Sequence, residues 1–131
     1  MSLSPESLKR LTQADNRLQD VAHAVAKIGF PFRDLAVYRD ERLQNELFHQ
    51  GLSKLKWPDS KHNCFPSRAI DITPEPVDWN NLPPFYILAG LFLATASSLG
   101  VKVRWGGDWN GNWNMKDQSF HDLGHFELLE E

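Results

Sequence analysis

The chain has 131 residues, of which 41% are hydrophobic and 24% are charged, and its net charge is −3. This composition is typical of one globular domain with one core, spanning residues 1–131, and it excludes a disordered chain. No basic run of the kind that binds nucleic acid or anionic membranes is present, and the single cysteine excludes an intrachain disulfide. We therefore expect neither a nucleic-acid nor a membrane partner.

A long N-terminal helix is the first predicted element. Ser4 is a suitable N-cap and stands before a proline at the first helical position. Apolar side chains then recur at helical spacing as far as Ile28. Gly29 ends this helix and Pro31 prevents its return, so the pattern predicts one helix with one buried face.

Shorter elements alternate along the rest of the chain, separated by glycines and prolines. They are predicted as strand 35–38, helix 41–50, strand 69–72, helix 84–99, strand 101–105 and strand 125–128. Only a long loop, at residues 106–119, separates the last two strands, which favours their antiparallel pairing. This order predicts an α+β fold in which helices pack on a small, mainly antiparallel sheet.

No transmembrane or export segment is predicted. The longest apolar run, at residues 85–96, is too short to span a bilayer and is interpreted as a buried helix. The N-terminus lacks a charged region followed by an apolar stretch. We therefore expect a protein that is made in the cytoplasm without a signal peptide.

Two polar clusters predict a metal site. Near the C-terminus, Asp122 stands three positions before His125, which begins a predicted strand. Earlier in the chain, His62 lies in a loop that enters another strand, and Asp71 lies within that strand. Burying an unpaired carboxylate is costly, which favours a ligand role for Asp71. Three protein ligands (His62, Asp71 and His125) with an open fourth position are the arrangement of a catalytic zinc site.

A spare carboxylate and an arginine complete the predicted chemistry. Asp122 is placed to take a proton from zinc-bound water and to deliver it to a leaving amine. Arg39, at the end of the first strand, is a candidate to stabilise an oxyanion, because its guanidinium group stays charged and donates two parallel hydrogen bonds. The alternative for Arg39 is an ion pair with Asp40 or Glu41.

Other residues near these clusters have simpler interpretations. His23 and His49 are expected to be ordinary surface or core residues of helices, and Cys64 is expected to be a small buried hydrophobic residue. His121 is interpreted either as a residue that supports the ligands or as a surface residue. Glu127 lies on the same strand face as the C-terminal histidine ligand, and it either supports the site or pairs elsewhere.

These motifs together resemble the zinc peptidases of the D-alanyl-D-alanine carboxypeptidase and L-alanyl-D-glutamate endopeptidase family, especially the small phage endolysins. The resemblance covers most of the chain after the first helix, and it depends on the order and spacing of several segments. These segments are Tyr38-Arg39 with Gln44, residues 47–54, residues 60–71, residues 104–109 and residues 122–128.

The resemblance implies a fold of the hedgehog and D,D-peptidase type, with zinc bound by His62, Asp71 and His125. It implies that Asp122 is the catalytic acid and base and that Arg39 steadies the scissile carbonyl. The implied substrate is the peptidoglycan stem peptide, cut at its L-alanyl-D-glutamate bond. Two alternatives stay open: a D-alanyl-D-alanine carboxypeptidase of the same family, and a non-catalytic zinc domain that binds peptidoglycan.

The sequence departs from the commoner family pattern at two places. The segment between the first two ligands is longer, with Pro66-Ser67 in place of a glycine, and Val37 stands where a glycine usually precedes the aromatic-arginine pair.

The resemblance also implies where the protein works. We expect a monomer without a separate wall-binding module, acting on the cell wall in the periplasm after release. The absence of an export signal favours the endolysin interpretation over a housekeeping carboxypeptidase. Trp105, Trp109 and Trp113 either wall a substrate groove or pin their glycine-rich loop to the core.

Overall fold

The computed structural model describes residues 3–117 and 121–129. Within these ranges, short helices alternate with short strands. The elements are α1 (Pro5–Leu11), α2 (Asn16–Ile28), β1 (Phe32–Ala36), α3 (Glu41–His49), β2 (Ala69–Pro74), α4 (Pro83–Ser98), β3 (Val103–Trp105) and β4 (His125–Leu128). Two short 3-10 turns, at Lys61–Asn63 and Met115–Asp117, lie in the loops before β2 and β4. The loop predicted at residues 106–119 extends, at 118 and 119, outside the described residues.

The four strands form one antiparallel sheet in the order β1-β2-β4-β3. This confirms the α+β prediction and the antiparallel pairing of the last two strands. Strand β2 pairs with β4 so that Asp71 lies opposite His125. The register of the sheet therefore places two of the predicted ligands side by side.

The core lies where α2 and α4 pack on each other and α4 packs on the sheet. The ring of Phe92 in α4 lies 4.4 Å from that of Phe126 in β4. Helix α4 carries no charged residue, but it is buried on one side only, and Tyr86 and Ile87 are exposed. None of the helices in the described ranges has the length and hydrophobicity needed to cross a membrane.

The predicted N-terminal helix is two helices, not one. Helix α1 ends at Leu11, and α2 begins after Asp15, whose carboxylate caps it by accepting from the Arg17 N–H. Between the helices the backbone turns away to pair with Ser67: the Ser67 N–H donates to the Gln13 carbonyl, and the Asp15 N–H donates to the Ser67 carbonyl, both at 2.8 Å. The apolar periodicity continues across this break, so the sequence pattern does not reveal it.

The other elements agree with the predictions except at their ends. The first strand begins three residues earlier than predicted, at Phe32, and it contains an irregularity between Asp34 and Ala36 where the register with β2 shifts. Gly29 ends α2 in the left-handed conformation, with φ of 101°. The chain therefore turns sharply from the core helix into the sheet.

Candidate metal centre

His62, Asp71 and His125 meet in the folded chain, with one potential ligand atom from each lying within 4.8 Å of the others. The Nε2 atom of His62 lies 3.3 Å from Oδ1 of Asp71, and Nδ1 of His125 lies 3.0 Å from the same oxygen. Both imidazole rings are buried. The three residues that the sequence predicts as metal ligands are thus brought together.

The 3-10 turn and two loop residues fix the orientation of the His62 ring. Ser60 caps the turn, and Nδ1 of His62 lies 2.7 Å from the Val37 carbonyl. The Ser67 hydroxyl donates to the same carbonyl at 2.8 Å. Val37 and Ser67 are the positions where this sequence departs from the commoner pattern, so the two departures meet at one contact that supports His62.

The tautomer of His62 follows from this contact. A backbone carbonyl only accepts, so the proton of the neutral ring lies on Nδ1, and Nε2 presents its lone pair. Nε2 is buried and makes no hydrogen bond within the described ranges, although it faces Oδ1 of Asp71. A lone pair that faces a carboxylate oxygen in a buried site is stabilised by a cation between them.

Asp71 is held as an anion. Burial raises the pKa of this carboxyl, but the neighbouring His62 and His125 outweigh burial, and the pKa lies well below its ordinary value. Two imidazoles and one anionic carboxylate are a donor set for a divalent transition metal such as zinc. The residues present therefore fit a metal ion.

His125 lies between two carboxylates. Its Nδ1 contacts Asp71, and its Nε2 lies 2.8 Å from Oε1 of Glu127. Burial lowers the pKa of His125, but the hydrogen bonds to Asp71 and Glu127 raise it to about 9. In the absence of a metal this ring is therefore charged at neutral pH, and a metal ion must displace its Nδ1 proton.

Asp122 lies beside the three ligands and, with His62 and His125, lines a cavity of about 290 Å³. Its N–H donates to the Gly106 carbonyl at 2.8 Å, and its own carbonyl accepts from the His125 N–H at 3.1 Å. Burial and the negative charge of Asp71 raise the pKa of the Asp122 carboxyl. A carboxyl whose pKa is raised towards neutrality is suited to exchange protons at neutral pH.

Arg39 contacts the ligand carboxylate and also lines the cavity. Its Nη2 lies 2.9 Å from Oδ2 of Asp71, the oxygen that does not face the histidines. Its Nη1 donates to the buried side chain of Gln44 at 3.3 Å. The ion pair is thus with Asp71, whereas Asp40, one of the alternative partners, caps α3.

Glu127 belongs to the site, a role that the sequence left open. Besides contacting His125, its Oε2 lies 2.6 Å from Nη2 of Arg104 and 3.3 Å from Nζ of Lys61. Burial raises the pKa of Glu127, but the hydrogen bonds from His125 and Arg104 lower it to about 2. The sequence indicates that Glu127 shares a strand face with His125, because the two residues are two positions apart. It does not indicate the pairing of Glu127 with Arg104, because that pairing depends on the register of β3 and β4.

The remaining sequence predictions have mixed outcomes. His23, His49 and His121 are exposed, so the surface alternative holds for each of them. Cys64 is also exposed, so the prediction that it is a buried hydrophobic residue is wrong. It follows the 3-10 turn in an extended conformation, in a surface loop that does not pack on the core.

The three tryptophans of the glycine-rich loop differ in their surroundings. Trp105 is buried and its indole N–H donates to the Leu123 carbonyl, so it anchors the loop to the core. The Trp109 ring lies 5.3 Å from that of His125 and lines the cavity. Trp113 is 82% exposed. Anchoring to the core therefore holds for Trp105, whereas a substrate-groove role stays a prediction, for which Trp109 is the candidate.

Known proteins resemble this chain in sequence and in fold. A family model described as phage L-alanyl-D-glutamate peptidase matches residues 1–129. The L-alanyl-D-glutamate peptidase of Escherichia phage T5 is 31% identical over 130 residues, which cover 94% of each protein. The crystal structure of the Serratia marcescens L-Ala D-Glu endopeptidase ChiX has the same fold, with a TM-score of 0.79 and 22% identity over 98% of this chain and 90% of that one.

Proposed function

The chain belongs to the phage L-alanyl-D-glutamate peptidase family, and from this membership we propose that it is a zinc peptidase that cuts the L-alanyl-D-glutamate bond of peptidoglycan stem peptides. One observation supports the proposal above all. A half-buried carboxyl with a raised pKa, that of Asp122, lines the same cavity as His62 and His125, which together with Asp71 fit a metal.

His62, Asp71 and His125 are the residues that would hold the zinc ion. Bound in this way, zinc would supply a Lewis acid and lower the pKa of a water ligand towards neutrality. The protein's own contribution is to fix the three donors. The Val37 carbonyl orients the His62 ring, and Arg39 engages Oδ2 of Asp71, which leaves Oδ1 directed at the histidines.

Asp122 is the proton carrier in this proposal. Its position in the cavity and its raised pKa suit a group that accepts a proton from the attacking water and donates it to the departing amine. The backbone hydrogen bonds to Gly106 and His125 fix its distance from the ligands. Arg39 lines the same cavity, and we propose that its guanidinium group also steadies the scissile carbonyl.

The names of the similar proteins favour this bond over the terminal D-alanyl-D-alanine bond. A purely structural or wall-binding zinc domain has no use for a carboxyl such as Asp122 beside the ligands, which favours an enzyme. The site of action that we propose is the bacterial cell wall, reached after release from the cytoplasm. We also propose that the catalytic unit is one domain and works as a monomer.

Mass spectrometry of digested peptidoglycan tests the proposal. Purified wall material is incubated with the zinc-loaded protein, with the protein after chelation, and with the chelated protein after zinc is restored. New fragments with an N-terminal D-glutamate are expected in the first and third samples only. Loss of a single D-alanine would instead identify a carboxypeptidase, and cleavage that survives chelation would exclude the zinc mechanism.

A further inference from the structure

Glu127 connects three parts of the chain at the edge of the candidate metal centre. It lies in β4, two residues after His125, and its side chain is buried. One carboxylate oxygen contacts Nε2 of His125, and the other contacts Arg104 of β3 and Lys61 of the 3-10 turn. Lys61 also donates to the Leu128 carbonyl, which ties the turn that carries His62 to β4.

The two ends of the His125 ring have different partners. Nδ1 points at Asp71, which is the direction of the predicted metal, and Nε2 points away from it at Glu127. An imidazole that ligates through Nδ1 must carry its remaining proton on Nε2. An anionic acceptor at 2.8 Å from Nε2 favours that tautomer and increases the basicity of the ligating nitrogen.

We propose that Glu127 is a positioning residue for metal binding: it selects the tautomer of His125 that would ligate through Nδ1 and holds the ring with Nδ1 facing Asp71. Arg104 and Lys61 hold the carboxylate in place and balance its charge. This inference rests on the proposed zinc site, but it concerns a residue outside the proposed ligand set, which contacts His125 at the nitrogen that does not face Asp71.

The contacts of the other histidine ligand support this assignment. The Nδ1 of His62 donates to the Val37 carbonyl, so its free Nε2 also faces Asp71. Each imidazole therefore has an acceptor behind it, and each directs its other nitrogen towards the same oxygen of Asp71. The acceptor for His125 is the charged carboxylate of Glu127, whereas the acceptor for His62 is the neutral carbonyl of Val37. Hydrogen bonds to charged acceptors are the stronger ones, so replacing Glu127 removes the stronger of the two hydrogen bonds that orient the ligand rings.

Zinc affinity and the state of the ring test the proposal together. The dissociation constant for zinc is measured by competition with a chelating dye for the wild type, Glu127→Gln and Glu127→Ala. We expect Glu127→Ala to weaken zinc binding about 10–100-fold, the range known for residues that support metal ligands. Glu127→Gln keeps an oxygen acceptor and should lose less. Glu46→Gln, an exposed carboxylate of α3, is the matched control and should bind zinc as the wild type does.

Nitrogen NMR of the zinc-loaded proteins provides the second measurement. The wild-type His125 ring should carry its proton on Nε2 alone, and in Glu127→Ala this signal should be lost or mixed. Wild-type zinc affinity in Glu127→Ala, or an unchanged His125 signal, would overturn the inference. If Glu127→Ala does not fold, the zinc affinity and the His125 signal of Glu127→Gln are compared with those of the wild type instead, and two wild-type values would overturn the inference. A wild-type protein that binds no zinc would refute the proposed function itself, which the wild-type titration reveals separately.

Discussion

Asp122 is the residue whose replacement should separate catalysis from metal binding. Asp122→Asn removes the proton-carrying carboxyl but leaves all three proposed ligands in place. We expect kcat to fall about 10²–10⁴-fold, the usual contribution of a general acid–base group. Zinc content, measured by atomic absorption, should stay the same. His121→Gln, at the exposed neighbouring position, is the control and should keep its activity. A variant that loses its zinc would instead identify Asp122 as a ligand.

The pKa of His125 predicts how zinc binding changes with pH. The value of about 9 lies above the ordinary 6.5, so in the zinc-free protein the charged ring stabilises the fold below about pH 6.5, and this contribution is lost as the pH rises through 9. Zinc requires the neutral ring. Its affinity should therefore increase by up to about tenfold per pH unit as the pH rises towards about 9, and level off above that pH. Chelator competition at several pH values measures this slope, and an affinity that is independent of pH would contradict the assignment.

At the scale of elements, the close approach of β2 and β4 determines the distance between two ligands. A side chain at Gly124 would overlap the carbonyl of Ile72, and the Ile72 N–H donates to the Gly124 carbonyl at 2.8 Å. We expect Gly124→Ala to push the strands apart, lower the free energy of unfolding by roughly 1–3 kcal/mol and weaken zinc binding. Urea denaturation and zinc titration measure the two effects.

Gly90 offers a matched control for this substitution. It lies in α4, and a methyl group there meets nothing within 4 Å. Gly90→Ala should therefore stabilise the protein by roughly 0.5–1 kcal/mol, because alanine loses less backbone entropy than glycine in a helix. If the two substitutions change the free energy of unfolding equally, the loss of stability in Gly124→Ala does not arise from contact with β2.

The sequence predicts those elements that depend on local signals. Ser4 caps the first helix and Gly29 ends the second, and both signals are read from neighbouring residues alone. The break before Asp15 depends on pairing with Ser67, which is distant in the sequence, so periodicity cannot show it. Residue chemistry was enough to predict that His62, Asp71 and His125 meet in the fold, whereas the contact of Glu127 with Arg104 depends on the register of β3 and β4.

At the scale of the whole molecule, the three proposed ligands come from separate segments. His62 lies in the 3-10 turn, Asp71 in β2 and His125 in β4. A metal that binds all three stabilises the folded state only, since the unfolded chain does not hold them together. The hydrophobic core packs α2, α4 and the sheet without using any ligand side chain. The fold should therefore persist without zinc, unlike that of a zinc finger.

Thermal unfolding with and without zinc tests this division between core and metal site. At free zinc about 100-fold above its dissociation constant, binding should add about 2.7 kcal/mol to the free energy of unfolding and raise Tm by several degrees. The chelated protein should keep its far-ultraviolet circular dichroism and lose only its activity. His62→Ala lacks one ligand, so its Tm should respond far less to zinc. If the chelated protein is unfolded, the metal rather than the core holds β2 and β4 together. If zinc raises the Tm of His62→Ala as much as that of the wild type, zinc binds elsewhere.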